Sequence, residues 1–454
     1  MIELRDYQID LKRRIYHEYN NGIRSLIAVL PTGAGKTALA SSILKDCADK
    51  NKSTLFIVHR RELIKQTCKA LDNIDTKYGV VAATFPSEPQ YSIQVASIQT
   101  LVNRKTSEPR LIVFDECHHM AAETYTRVYD SYPNSLILGL TATPTRRDGQ
   151  GLHRYFQKIL EGPTIDQLTN GGYLCPYKYY APKTEIDLSQ VSISMGDYDQ
   201  NELAKAIDKP KITGDVVENY MKYSLGKRAI VFAVNIEHSN HIIESFRQAG
   251  IVAAHLDGAT SMRERDETIN RFSKGEIQVL SNVGLFSEGF DVPGIEAVIM
   301  VRPTYSLSLH LQMVGRGLRP SLNKPHAIII DHVENYKRHG LPSDTREWSL
   351  HSQRKRLRKG DEQVVPIKRC DHCFTVNPII SLICINCQEP FPVKEKTARE
   401  ILAEQGDLVE IDQKKKMRME VGRARTIGDL QRIAQERGYK PGWVWKQLQI
   451  KKLI

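Results

Sequence analysis

Short, nearly uninterrupted apolar runs recur along the chain. Leu26–Leu30, Leu55–Val58, Leu111–Phe114 and Leu136–Leu140 form one series. Ala229–Val234, Ile251–Leu256, Ile277–Leu280, Ala297–Val301 and Ala327–Ile330 form a second. Runs this short that do not alternate with polar residues predict strands buried on both faces, as in parallel sheets. Between them lie stretches with helical spacing, including 8–20, 38–44, His238–Gln248 and Glu264–Phe272. Strand–helix alternation in two blocks predicts an α/β chain with two tandem doubly wound parallel sheets. Residues 145–211 break the rhythm. Gly149, Gly151, Gly171, Gly172, Pro176 and Pro182 punctuate them, which predicts a connector with a small extension.

The first run leads into Leu30-Pro31-Thr32-Gly33-Ala34-Gly35-Lys36-Thr37, and a helix-forming stretch follows at once. Strand, Gly-rich loop ending in Gly-Lys-Thr, helix is the setting of a phosphate-binding loop. Gly33 and Gly35 allow the backbone to turn its N–H groups towards an anion, and the new helix adds its positive end. Lys36 then reaches the β- and γ-phosphates, and Thr37 offers a hydroxyl to Mg²⁺. Leu30 stands where the usual pattern has its first glycine.

Other candidate groups sit at the ends of apolar runs, where open α/β sheets bind ligands. Leu111–Phe114 ends in Asp115-Glu116-Cys117-His118. Of these paired carboxylates, Asp115 suits the water shell of Mg²⁺, and Glu116 suits orienting and deprotonating an attacking water. His59-Arg60-Arg61-Glu62-Leu63 follows the second run, where its arginines fit either a phosphate backbone or a helix-start ion pair. Ser97-Ile98-Gln99-Thr100 and Thr141-Ala142-Thr143-Pro144 close two further runs. In the second block, Gln312-Met313-Val314-Gly315-Arg316-Gly317-Leu318-Arg319 places two arginines three apart, predicting one face of a helix aimed at a γ-phosphate.

Composition locates a second partner. Residues 346–454 carry 23 Lys and Arg against 14 Asp and Glu, whereas residues 1–345 carry 41 against 39. A basic appendage on a near-neutral body points to a polyanion. It includes Cys370-x-x-Cys373 and, ten residues on, Cys384-x-x-Cys387, a spacing that sets four thiolates around a structural Zn²⁺. Cys47, Cys68, Cys117 and Cys175 are scattered and read as free thiols. No apolar run approaches the roughly 20 residues of a membrane helix, and no targeting pattern opens the chain, so no membrane partner and a cytoplasmic setting are expected.

In order and spacing, these motifs resemble those of superfamily 2 helicases over about residues 4–335. The resemblance makes Gln8, with Thr32, Gly33, Ala34, Gly35, Lys36 and Thr37, the ATP-binding loop and adenine contact. It assigns catalysis to Lys36, Asp115, Glu116, Arg316 and Arg319, and a ribose-side contact to Gly289 and Asp291. Arg60, Ser97, Gln99 and Asn282 become nucleic-acid contacts by position. Asp-Glu-Cys-His, and Gln312 where RNA helicases of the Asp-Glu-Ala-Asp type usually have His, favour the DNA branch. Within that branch the chain resembles the RadD-type DNA repair helicases, which carry a zinc-binding C-terminal region and whose like are common in phage genomes.

The resulting layout has a RecA-like ATP-binding domain at 1–160, a connector at 161–211 and a second RecA-like domain at 212–345. A basic linker at 346–364, a zinc ribbon at 365–392 and a basic helical tail at 393–454 follow. In that tail Trp443 and Trp445 fit either stacking on bases or a small helical core. The expected activity is ATP-driven movement along, or remodelling of, single-stranded, forked or branched DNA in repair, recombination or replication. A single-strand-binding or recombination protein is an expected partner, in a bacterial cell and from a phage genome. RNA remodelling and an ATP-switched binding scaffold are the alternatives.

Overall fold

A computed structural model describes the chain apart from residues 1–2, 84, 105, 146–150, 183–187, 189, 195–196, 208–209, 287–291, 293, 352–365, 393–423, 425, 438, 440 and 451–454. Residues 1–390 form one compact unit and residues 391–454 another.

The first apolar series becomes a seven-stranded sheet. Its strands are β1 (Ser25–Val29), β2 (Thr54–Val58), β3 (Gly79–Val81), β4 (Ile93–Ser97), β5 (Leu111–Asp115), β6 (Leu136–Thr141) and β7 (Lys158–Glu161), in spatial order β3-β4-β2-β5-β6-β1-β7. All pairings are parallel. Every residue of β1, β2 and β5 is buried, which explains why those runs do not alternate. Val29 pairs with Thr141 and Asp115 with Leu140, so the ends of β1, β6 and β5 lie side by side. That shared edge brings the phosphate loop beside the two carboxylates.

The second series becomes a six-stranded parallel sheet. Here β8 (Tyr177–Tyr180) joins β11 (Ala229–Phe232), β12 (Ala253–Leu256), β13 (Val279–Asn282), β14 (Ala297–Met300) and β15 (Ala327–Asp331), in order β12-β13-β11-β14-β15-β8. The second sheet therefore reaches back to residue 177, well before the expected boundary at 212. Between β8 and the rest lies a small hairpin, β9 (Ile193–Ser194) and β10 (Asp197–Tyr198). Asp197 Oδ1 accepts from the Thr304 hydroxyl at 3.0 Å and the Tyr305 N–H at 2.6 Å. Its other oxygen lies 3.4 Å from Arg302. The extension is thus fastened to the loop that leads into the arginine segment. Among the described residues no helix is long and apolar enough to cross a membrane.

Gly139, inside β6, has no room for a side chain. A Cβ there would lie 2.7 Å from Cys117 Sγ and 2.8 Å from the Phe156 ring. Gly139→Val should therefore cost about 1–3 kcal/mol by overpacking, read as a lowered denaturant midpoint. An unchanged midpoint would mean that Cys117 and Phe156 yield freely.

Candidate active site

The phosphate loop needs left-handed backbone at Gly33 (φ 89°) and Gly35 (φ 78°). Gly35 also caps the helix Lys36–Asp49, and a Cβ there would sit 2.4 Å from Gln8 Nε2. Gln8 is buried, and its amide nitrogen donates to the carbonyls of Ala34 and Gly35, each at 3.1 Å. Its Oε1 accepts the Arg5 N–H at 2.9 Å. The amide that the sequence offers to adenine is thus engaged in holding the loop. Tyr7 helps, donating its hydroxyl to Ala34 O at 2.9 Å.

β5 delivers Asp115 at its last position, and Glu116 follows in a left-handed conformation (φ 49°). This bend turns the second carboxylate towards Lys36, whose Nζ lies 3.9 Å from Glu116 Oε1 and 3.4 Å from Leu30 O. Burial, and then the Glu116 charge, push the Asp115 carboxyl well above the usual carboxylate range, against the pull of Lys36. His118 Nδ1 stands 3.3 Å from Glu116 Oε2 and 3.1 Å from Thr141 Oγ1. It ties the Asp-Glu-Cys-His segment to the Thr141–Pro144 loop. The sequence motifs assigned no role to His118 or Tyr7 individually, because their links to Thr141 and Ala34 join segments distant in the chain.

The second domain closes the cleft. Arg316 and Arg319 line the same cavity, of about 510 Å³, as Thr32, Lys36, Asp115 and Glu116. The helix carrying Arg316, Leu307–Gly317, ends before Arg319, so the two arginines do not share a helix face as predicted. Gly315 packs so closely on the phosphate loop that a Cβ would lie 2.5 Å from Thr32 Cβ. Two more contacts cross between the domains: Arg60 donates to Gly284 O at 3.1 Å, and Arg265 pairs with Glu62 at 2.9 Å.

The nucleic-acid candidates divide. Ser97 donates to Gln99 Oε1 at 2.6 Å, and Gln99 donates to His59 O at 3.1 Å, so both sit with Arg60 above the ends of β2 and β4. Asn282 is fully buried. Its amide donates to Val231 O at 2.8 Å and accepts from the Phe286 N–H at 3.2 Å, so it braces the end of β13. Gly289 and Asp291 lie outside the described residues, as do the basic runs Arg354–Lys359 and Lys414–Arg418.

The cysteine pairs converge around β16 (Ile367–Arg369) and β17 (Val376–Pro378). Their four Sγ atoms lie within 4.8 Å of one another, with Cys370–Cys387 at 3.6 Å and Cys373–Cys384 at 3.5 Å. A zinc tetrahedron with bonds of about 2.3 Å has edges of roughly 3.8 Å, so the donor set fits the metal. Ala181 donates to Phe374 O at 3.0 Å, which joins the ribbon to the chain just after β8. In the separate C-terminal unit, helices Ile427–Glu436 and Pro441–Ile450 enclose Leu430, Ile433 and Leu448. Trp443 packs on that core, whereas Trp445 is 59% exposed.

Comparison with known proteins agrees with this architecture. Residues 1–146 match the model of the type III restriction enzyme res subunit, and residues 209–321 match the helicase conserved C-terminal domain. A 51.5 kDa protein of Lactococcus phage (isolate 7-9) is 36% identical over 90% of this chain and 87% of its own length. The putative ATP-dependent helicase IRC3 of Saccharomyces cerevisiae is 32% identical over 73% of this chain, which spans 51% of that protein. The DNA 3'-5' translocase XPB2 of Sulfurisphaera tokodaii is 27% identical over 70% of this chain and 79% of its own length. A fragment structure of a putative HsdR subunit of a type I restriction enzyme from Vibrio vulnificus superposes with a TM-score of 0.58 at 20% identity, over 74% of this chain and 65% of that one.

The ribbon's metal dependence is testable apart from catalysis. Chelation should release about one Zn²⁺ per chain and expose residues 366–390 to proteolysis, with the two sheets intact. A purified chain without zinc whose ribbon resists protease equally well would show that the thiols need no metal.

Proposed function

This chain belongs to the superfamily 2 helicases, ATP-hydrolysing motors on nucleic acid, and we propose that its track is DNA. One observation carries the reading of the site: arginines of the second domain face the phosphate loop and carboxylates of the first across a single cleft. On this reading ATP lies between the domains, its phosphates cradled by the backbone of Thr32–Thr37 and by Lys36. Thr37 and Asp115 are the residues that would hold Mg²⁺, which supplies charge neutralisation at the phosphates when bound. Glu116 orients the attacking water and accepts its proton as the bond to the γ-phosphorus forms. The bond to the β-γ bridging oxygen breaks, leaving ADP and phosphate. Arg316 and Arg319 offset the charge gathering on the phosphoryl oxygens. Loss of phosphate removes what holds those arginines in the cleft, so the domains part and the grip on the strand shifts.

DNA rather than RNA is supported by Gln312 in the arginine segment, by the restriction-enzyme family model and by the XPB2 translocase. Arg60, Ser97 and Gln99 are the proposed strand contacts, and the basic C-terminal residues add phosphate affinity. Repair, recombination or replication in a bacterial cytoplasm, under a phage genome, is the proposed setting, and the related phage protein supports the last point.

Glu116→Gln should lower kcat by roughly a hundredfold or more while ATP still binds; hydrolysis close to wild type would remove Glu116 from the catalytic role. The ATPase rate should rise with single-stranded and forked DNA, less so as salt increases. A rise with RNA and none with DNA would overturn the proposed track.

A further inference from the structure

Directly after the arginine segment the chain turns back on itself. The Lys324 N–H donates to Ser321 O at 3.2 Å, and Asn323 takes a left-handed conformation (φ 64°). This reversal sends the Lys324 side chain inwards, where the residue is only 9% exposed. Its ammonium donates to Ile295 O at 2.7 Å, to Arg319 O at 3.0 Å and to Gly317 O. An ammonium has three N–H donors, and each here has a carbonyl. Gly317 is the last residue of the helix Leu307–Gly317, so the charge also sits at that helix's negative end.

The acceptors belong to two separate segments that face the nucleotide cleft. Ile295 lines the cleft just ahead of β14, and Arg316, Arg319 and Ser321 line it from the other side of β14 in sequence. Burial pushes the Lys324 ammonium down to about 8, against the pull of Cys175 and Glu296 and with a smaller push from Arg228 and Arg319.

We propose that Lys324 is a positioning residue: it clamps the end of the arginine helix to the Ile295 segment and so fixes Arg319 at the reacting phosphate. The inference rests on the reading that Arg319 acts on ATP. The carbonyl of Arg319 is itself one of the three acceptors. Removing the ammonium frees the arginine's backbone without touching its guanidinium. Misplacement of a charge-stabilising group by about 1 Å costs as much as a hundredfold in rate.

The test is a cycle of Lys324→Met, Arg319→Ala and the double variant in the full chain. DNA-stimulated kcat and the Kd for a non-hydrolysable ATP analogue are read for each. Lys324→Met should lower kcat about tenfold or more, with Kd changed by no more than about threefold. In the Arg319→Ala background it should lower kcat no further. The same loss in both backgrounds, or no loss in either, overturns the clamp. If Arg319→Ala alone leaves kcat unchanged, the role given to the arginine fails first. Should Lys324→Met melt below the assay temperature, Lys324→Gln, which keeps two N–H donors, enters the same cycle. Failure of both to fold overturns the proposal, because Lys324 would then serve folding and not arginine placement.

Discussion

The burial of Asp115 beside the charge of Glu116 is the constraint on which the rest of the molecule depends. Two adjacent carboxylates at the end of a fully buried strand are costly unless cations approach them. The first domain supplies one, Lys36, from a loop that two left-handed glycines make possible. The second supplies Arg316 and Arg319. Cations of both domains therefore line the cleft that holds the two carboxylates. On the proposed reading, the polyphosphate of ATP lies among these same cations. Gly315 sets how near the approach comes, since its lack of a side chain lets the arginine helix rest on Thr32.

Much of this was legible in the sequence because it is local. A strand buried on both faces needs a continuous apolar run, a phosphate loop needs glycines next to Lys-Thr, and a zinc ribbon needs paired cysteines. All three are written within fewer than twenty residues. What escaped was long-range. β8 joins the second sheet by pairing with β15, roughly 150 residues later in the chain, and nothing in Tyr177–Tyr180 announces that partner. Asn282 looked available for a ligand, but burial is decided by the strands on either side of it. Gln8, expected at an adenine, also donates to the carbonyls of Ala34 and Gly35, a support of the loop that only the fold reveals. Lys324 reads as one more surface lysine until the fold places three carbonyls around it.

The ribbon gains meaning from where it is attached. Ala181, immediately beyond β8, donates to Phe374 O, and Arg369 donates to Ala181 O at 3.3 Å. Lys222 lies over both the Tyr223 and Phe374 rings, at 5.1 and 5.4 Å, which binds the ribbon also to the helix Pro210–Ser224. These contacts are all to the second domain, so ribbon and second sheet form a single packed body.

That attachment has a mechanical consequence. β8 is hydrogen-bonded along its length to β15, β15 lies beside β14, and Gly317 at the end of the arginine helix packs on Val298 of β14. A load on the ribbon therefore meets a continuous path of backbone hydrogen bonds and close packing to the arginine segment. Interiors packed at this density shift as units and do not deform gradually. A ribbon that engaged an external partner would act on the same sheet that carries the arginine segment. The small cysteine-rich ribbon is thus joined to the arginine segment through the second sheet, by strand pairing and close packing.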